Sequence, residues 1–208
     1  MLPSHITYSV SMSRWEPGAR ERLVRAAVDL FTEQGYDNTT VNEIADRAGL
    51  TKTTFFRHFP DKREVLFAGQ DTHGRLLADG IAAAPASATP LQAVAAALDA
   101  ATATFTPRQR EFGPRLEAVI AGNSELRERD VFKRAGLAAA MTEALEKRGV
   151  PDPAASLAAD LGVRAFYRAF ARWCDPAGQQ TFTELARQEL RELRAAAAAL
   201  GRDADPPR

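Results

Sequence analysis

The 208-residue chain has a single cysteine, Cys174, which excludes an internal disulfide. Its three histidines, His5, His58 and His73, are scattered and make no metal-ligand cluster with it, so neither a metal nor another cofactor is expected. Net charge is also missing. Lys plus Arg equals Asp plus Glu at 27 each, and residues 12–70 alone carry nine basic and nine acidic side chains. Any nucleic-acid function must therefore rest on local charge. The sequence has no apolar run of the length a membrane span needs, and no basic segment followed by an apolar one at its start. A cytoplasmic protein without membrane contact is the expectation. Gly-x-Ser-x-Gly, Gly-x-x-x-x-Gly-Lys, Cys-x-x-Cys and His-Glu-x-x-His are all absent, which disfavours an enzyme. Strand-like alternation of useful length is absent too, so the chain is read as all-α, with about nine helices.

What is present is concentrated between Thr39 and Leu66, TTVNEIADRAGLTKTTFFRHFPDKREVL. Thr40 and Glu43 have the spacing of a capping box, in which hydroxyl and carboxylate each satisfy a free backbone N–H at a helix start. Val41, Ile44, Ala45 and Ala48 then fall on one helical face, and Gly49 sits where a left-handed residue ends a helix. Thr51 can cap a second helix, which Pro60 stops after Phe59, and Asp61 with Glu64 opens a third. Two short helices around a glycine turn are the signature of a helix-turn-helix, whose second helix enters the DNA major groove. That second helix holds Lys52, Thr53, Thr54, Arg57 and His58, with no carboxylate between Asp46 and Asp61. The same spacing also suits a structural helical corner in an interaction module that never meets DNA.

The remaining chain reads as helices in series. Residues 1–17 form a leader, in which Trp15 either packs on the first helix or reaches DNA as an arm does. Ala19 to Gln34 is an amphipathic helix ended by Gly35, and with the next two it completes a small headpiece core of Leu23, Leu30, Phe31, Val41, Ile44, Leu50, Phe55 and Phe59. The helix from Asp61 is expected to run unbroken to about Ala82 and to connect two domains, residues 18–82 and 83–208. Further helices are expected over residues 91–105, from Pro107 to Gly122, from a Ser124 cap to Gly149, from Pro153 to Cys174 after an Asp152 cap, and over 179–200, with a tail at 201–208.

In the order and spacing of LFTEQGYDNTTV, EIADRAGLTKTTFFRHFPDK and REVLF, residues 18–67 resemble the tetracycline-repressor (TetR) family of bacterial transcription regulators. The resemblance implies a homodimer with one DNA-binding headpiece per subunit, a helical C-terminal domain that binds a small-molecule effector, and, most often, repression. On matching positions, Thr40 and Lys62 would meet phosphate. Thr51, Lys52, Thr53 and Arg57 would face base edges and backbone, with His58 beside them. Position 56, usually tyrosine in the family, is Phe56 here, which puts the tyrosine's backbone contact in doubt.

Beyond residue 82 the resemblance is architectural. It implies a mostly apolar effector pocket, for which the large side chains available are Phe105, Phe112, Leu116, Ile120, Phe132 and Met141, with Phe166, Phe170 and Trp173. It also implies that the last two helices form a dimer interface, through Leu161, Ala165 and Ala169 on one and Phe182, Leu185, Leu190 and Leu193 on the other. Two headpieces about one DNA turn apart, roughly 34 Å, would bind a palindromic duplex, and effector would release it by tilting the connecting helix.

Overall fold

The computed structural model describes residues 18–200, so the leader with Trp15 and the C-terminal tail lie outside the described residues. Among the described residues there are nine α-helices and no strand. They are α1 (Ala19–Gln34), α2 (Val41–Arg47), α3 (Lys52–His58), α4 (Gln70–Ala83), α5 (Pro90–Thr102), α6 (Pro107–Gly122), α7 (Ser124–Lys147), α8 (Ala154–Trp173) and α9 (Phe182–Leu200), with a 3-10 turn at Arg63–Phe67. None of these helices is long and apolar enough to cross a membrane.

Most boundaries follow from caps written in the sequence. Thr40 and Glu43 exchange the two hydrogen bonds of a capping box, and Thr89 with Gln92 and Thr106 with Gln109 repeat the arrangement at α5 and α6. The cap of α7 is Asn123 rather than Ser124, since the Asn123 side chain accepts from the Leu126 N–H. Helix α9 starts at Phe182, three residues later than expected, because Thr181 and Glu184 cap each other's backbone there. Helix α8 starts at Ala154, while the Asp152 carboxylate accepts from the Ser156 N–H.

The expected continuous helix from Asp61 does not form. Asp61 does accept from the Glu64 N–H, but the segment winds as a 3-10 turn and α4 begins only at Gln70. Val65, Leu66 and Phe67 are three consecutive buried side chains, and three neighbours point all round a helix axis. The segment is therefore wrapped between α1 and α7 instead of lying on a surface with one apolar stripe.

Two cores result. The first joins Leu23, Val28, Phe31, Ile44, Phe55 and Phe59 with Val65 to Phe67, and it also takes in Leu126 from α7. The second gathers α4, α5, α7, α8 and α9 around Leu77, Val94, Leu98, Met141, Leu145 and Phe166. Small residues set its close approaches. A Cβ on Gly80 would stand 2.6 Å from the Ala97 Cα, and one on Gly162 would stand 2.7 Å from both Met141 and Val94. Helix α6 lies between the two cores, with Phe112, Leu116, Val119 and Ile120 half-buried against the first.

Candidate nucleic-acid interface

Helix α3 is held by its apolar side. Phe55 and Phe59 are buried against the first core, their ring centroids 5.5 Å apart. Gly49, at φ 65°, makes the turn from α2, a conformation that L side chains rarely adopt. Arg22 of α1 secures that turn by donating to the Ala48 and Gly49 carbonyls, at 2.9 Å from Nε and 3.1 Å from Nη2. Thr51 begins the helix, its hydroxyl oxygen accepting from the Thr54 N–H at 3.1 Å. With rotation about the axis thus defined, Lys52, Thr53, Phe56, Arg57 and His58 are left exposed.

The cations of the headpiece divide into two sets. Arg47 is paired with Glu33, and Arg63 with Asp61 and Glu125. Lys52 and Arg57 have no carboxylate partner among the described residues. They add positive charge to a helix with a free face, as a duplex backbone requires.

The structure brings Thr51, Lys52, Thr53, Arg57 and His58 together on or beside this helix, and it treats Thr40 and Lys62 differently. The Thr40 hydroxyl donates to the Glu43 carboxylate at 2.7 Å and accepts from the Glu43 N–H, so it is engaged in its own cap. Those hydrogen bonds, from the Thr40 backbone and hydroxyl and from Gln34, hold the Glu43 carboxyl below its ordinary range. Lys62 departs from its expected phosphate contact. Its ammonium donates to the Tyr36 and Thr39 carbonyls at 2.7 and 2.9 Å and lies 4.0 Å over the Tyr36 ring. It closes the end of α1 onto the turn before α4. A lysine tail can reach inward past its own helix, and spacing in the sequence does not reveal this.

The residues expected to line an effector pocket separate into two places. Phe105, Phe166, Phe170 and Trp173 meet in one aromatic cluster completed by Phe182 and His73, in which Phe105 lies 4.9 Å from both the Phe182 and the His73 ring. Burial pushes the His73 imidazole below its ordinary value. Met141 is fully buried beside Gly162. Phe112, Leu116 and Ile120 instead face the first core, since the turn of α6 that carries them leans on α1. Phe132 is exposed and lines a groove of about 450 Å³ between α4 and α7, together with Gln70, Gly74, Lys133 and Leu137. A second hollow of about 560 Å³ separates α1 from α6. None of Phe105, Met141, Phe166, Phe170 or Trp173 lines either space.

The expected dimer residues also turn inward. Ala165, Ala169, Phe182, Leu185 and Leu190 are buried in the chain's own second core, with Leu161 and Leu193 half-buried against it. Periodicity finds the apolar face of α8 and α9, but that face is consumed by their packing on each other and on α5.

Among the described residues a helix-turn-helix with a basic exposed face is carried on a helical body, an arrangement seen in DNA-binding headpieces. Comparison with known proteins agrees. Residues 23–68 match the family described as "Bacterial regulatory proteins, tetR family", so the headpiece is similar to that family's. The HTH-type transcriptional regulator TcmR of Streptomyces glaucescens is 38% identical over 81 residues, which are 39% of this chain and 36% of TcmR, so little more than a third of that relative's length is matched. Over most of the chain the likeness is one of fold. GusR of Salmonella enterica aligns with a TM-score of 0.55 at 19% identity, over 89% of this chain and 96% of its own. FadR of Bacillus subtilis, in a structure with stearoyl-CoA, aligns with a TM-score of 0.52 at 19% identity, over 83% of this chain and 96% of its own.

Proposed function

We propose that the protein is a cytoplasmic, ligand-responsive transcription regulator that binds a palindromic DNA site as a homodimer and is released by a small, mostly apolar effector. The observation that carries this reading is the exposed, unpaired Lys52 and Arg57 on a helix whose opposite face is anchored by Phe55 and Phe59. Repression is the expected outcome, since a protein bound across a promoter blocks it without further contacts.

The effector site lies at the aromatic cluster around Phe105, Phe166, Phe170 and Trp173, beside Met141. FadR holds stearoyl-CoA in the same overall fold, which supports an effector with a large apolar part. Phe112, Leu116 and Ile120 serve the transmission of its binding, because they join α6 to the headpiece. Further links run the same way. Gln70, the first residue of α4, donates to the Tyr167 hydroxyl of α8 at 2.8 Å, next in sequence to Phe166. Glu64 accepts from Arg129 and Lys133 of α7, and Arg115 of α6 donates to Asp29 of α1 at 2.6 Å. Separating the aromatic rings thus displaces the start of α4 and the supports of the headpiece together. Effector and DNA then weaken each other's binding by one common factor. Dimerisation uses the outward side of α8 and α9, where Leu157 is exposed.

The test is a band-shift measurement on duplexes enriched from a random-sequence pool. Wild-type protein should enrich a palindrome and lose it as salt rises, whereas a Lys52→Ala/Arg57→Ala double variant of unchanged helix content and mass should enrich nothing. Salt-insensitive binding that survives both substitutions would sink the DNA-binding reading.

A further inference from the structure

Phe56 is the one large apolar side chain on the exposed face of α3, at 47% exposure. A turn of about 100° per residue places it between Lys52 and Thr53, on the flank where the exposed face meets the buried Phe59 side. Its ring stands edge-on to the buried Phe55 ring, with centroids 5.5 Å apart and planes at 81°. The backbone below it is fixed by Phe55, Phe59 and the Thr51 cap, so the ring projects from a rigid base. Water alone is a poor partner for such a ring, and the side chain has no donor or acceptor for a phosphate or a polar base edge. In the major groove the apolar group offered by a base is the 5-methyl of thymine.

We propose that Phe56 is a specificity-determining residue that packs on a thymine 5-methyl group in each half of the bound site. The inference rests on the DNA-binding reading above and adds to it which base is read and by what contact. Lys52 and Arg57 supply attraction to the backbone and polar edges, whereas Phe56 supplies discrimination that is independent of salt. A tyrosine here could reach backbone phosphate through its hydroxyl. Phenylalanine forgoes that bond and leaves the contact purely apolar.

The experiment uses the full chain and duplexes enriched from a random pool, resynthesised with deoxyuridine replacing thymidine one position at a time. This deletes a single methyl and nothing else. Wild-type protein should lose about fourfold in affinity at one thymine per half-site, the loss expected for one buried carbon. Phe56→Ala should bind thymine and uracil forms alike at that position, while Phe56→Tyr, which keeps the ring, should retain the preference. The inference is overturned if wild-type protein ignores uracil at every position, or if Phe56→Ala keeps the full preference; a mutant cycle between methyl and ring measures this directly. Enrichment that depends on Lys52 and Arg57 but not on any methyl would remove the role of Phe56 alone. Enrichment of nothing would remove the DNA-binding reading with it.

Discussion

The body and the recognition helix α3 use their cations differently. In the body, several basic side chains are consumed by the fold. Arg110 donates from α6 to the Trp173 and Asp175 carbonyls at 2.7 Å each and to that of Gly178, tying off the end of α8. Arg148 does the same for the end of α4 through the Ala84 and Pro85 carbonyls, and Arg187 forks onto Asp99. In the headpiece, Lys52 and Arg57 are left without such partners among the described residues. The contrast explains how a chain of zero net charge can be suited to an anionic partner. What matters to a duplex is how many cations are uncommitted and whether they share a face, while paired ones cancel within a Debye length, about 8 Å at physiological salt.

The largest effect that would test this contrast is on binding. Removing Lys52 and Arg57 together should weaken DNA binding at least about a hundredfold, at about tenfold or more per contact, and leave the thermal midpoint unchanged within about 1 °C. Arg110→Ala should do the reverse. It should cost about 2 kcal/mol in denaturant unfolding, because three carbonyls lose a charged donor, while DNA affinity of the folded protein stays the same. If both variants lost affinity equally, the division between structural and binding cations would be broken.

Glu189 sharpens the comparison from the acidic side. It is 1% exposed, and Arg168 and Arg172 both donate to it. Burial pushes its carboxyl up, but the two guanidinium groups outweigh that and hold it below the ordinary carboxylate range. Glu189→Gln should cost about 1–2 kcal/mol by chemical denaturation, less than a fully buried pair would, because both arginines remain about half exposed and can rehydrate. Thr40→Ala removes one cap from α2 and should cost about 1 kcal/mol, read as a fall in the denaturation midpoint.

The smallest effect is on pH dependence. His73 has a folded-state value below its ordinary 6.5, caused by burial. The folded protein therefore holds fewer protons than the unfolded chain in that range, so this contribution is present above about pH 6.5 and is lost as pH falls through the lower folded value. A His73→Phe variant should show a flatter thermal midpoint between pH 7 and pH 5 than the wild type, by about 2 °C. An identical slope in both would remove His73 from the account.

Much of the headpiece was legible because its signals are local. Each boundary of α2 and α3 is set by residues within four positions, Thr40 with Glu43, Gly49, Thr51 and Pro60, and Phe55 and Phe59 fix which side faces in. The departures have nonlocal causes. The resemblance puts Lys62 on phosphate, yet the Tyr36 and Thr39 carbonyls that capture it are more than twenty residues away. The inward turn of Ala165, Ala169, Phe182, Leu185 and Leu190 has the same origin, since an apolar stripe does not say which neighbour will cover it.

Helical period, capping pairs and glycine turns therefore determined from sequence alone that the described residues are all-helical and include a helix-turn-helix bearing a basic second helix. These are properties of neighbouring residues and their backbone dihedral angles. Only the tertiary structure decided where α4 begins, which half of the molecule α6 serves, which cations remain unpaired and that Phe56 stands exposed among them. Each of those depends on side chains brought together from distant parts of the chain, and burial on all sides, as at Val65 to Phe67, overrides the local preference to continue a helix.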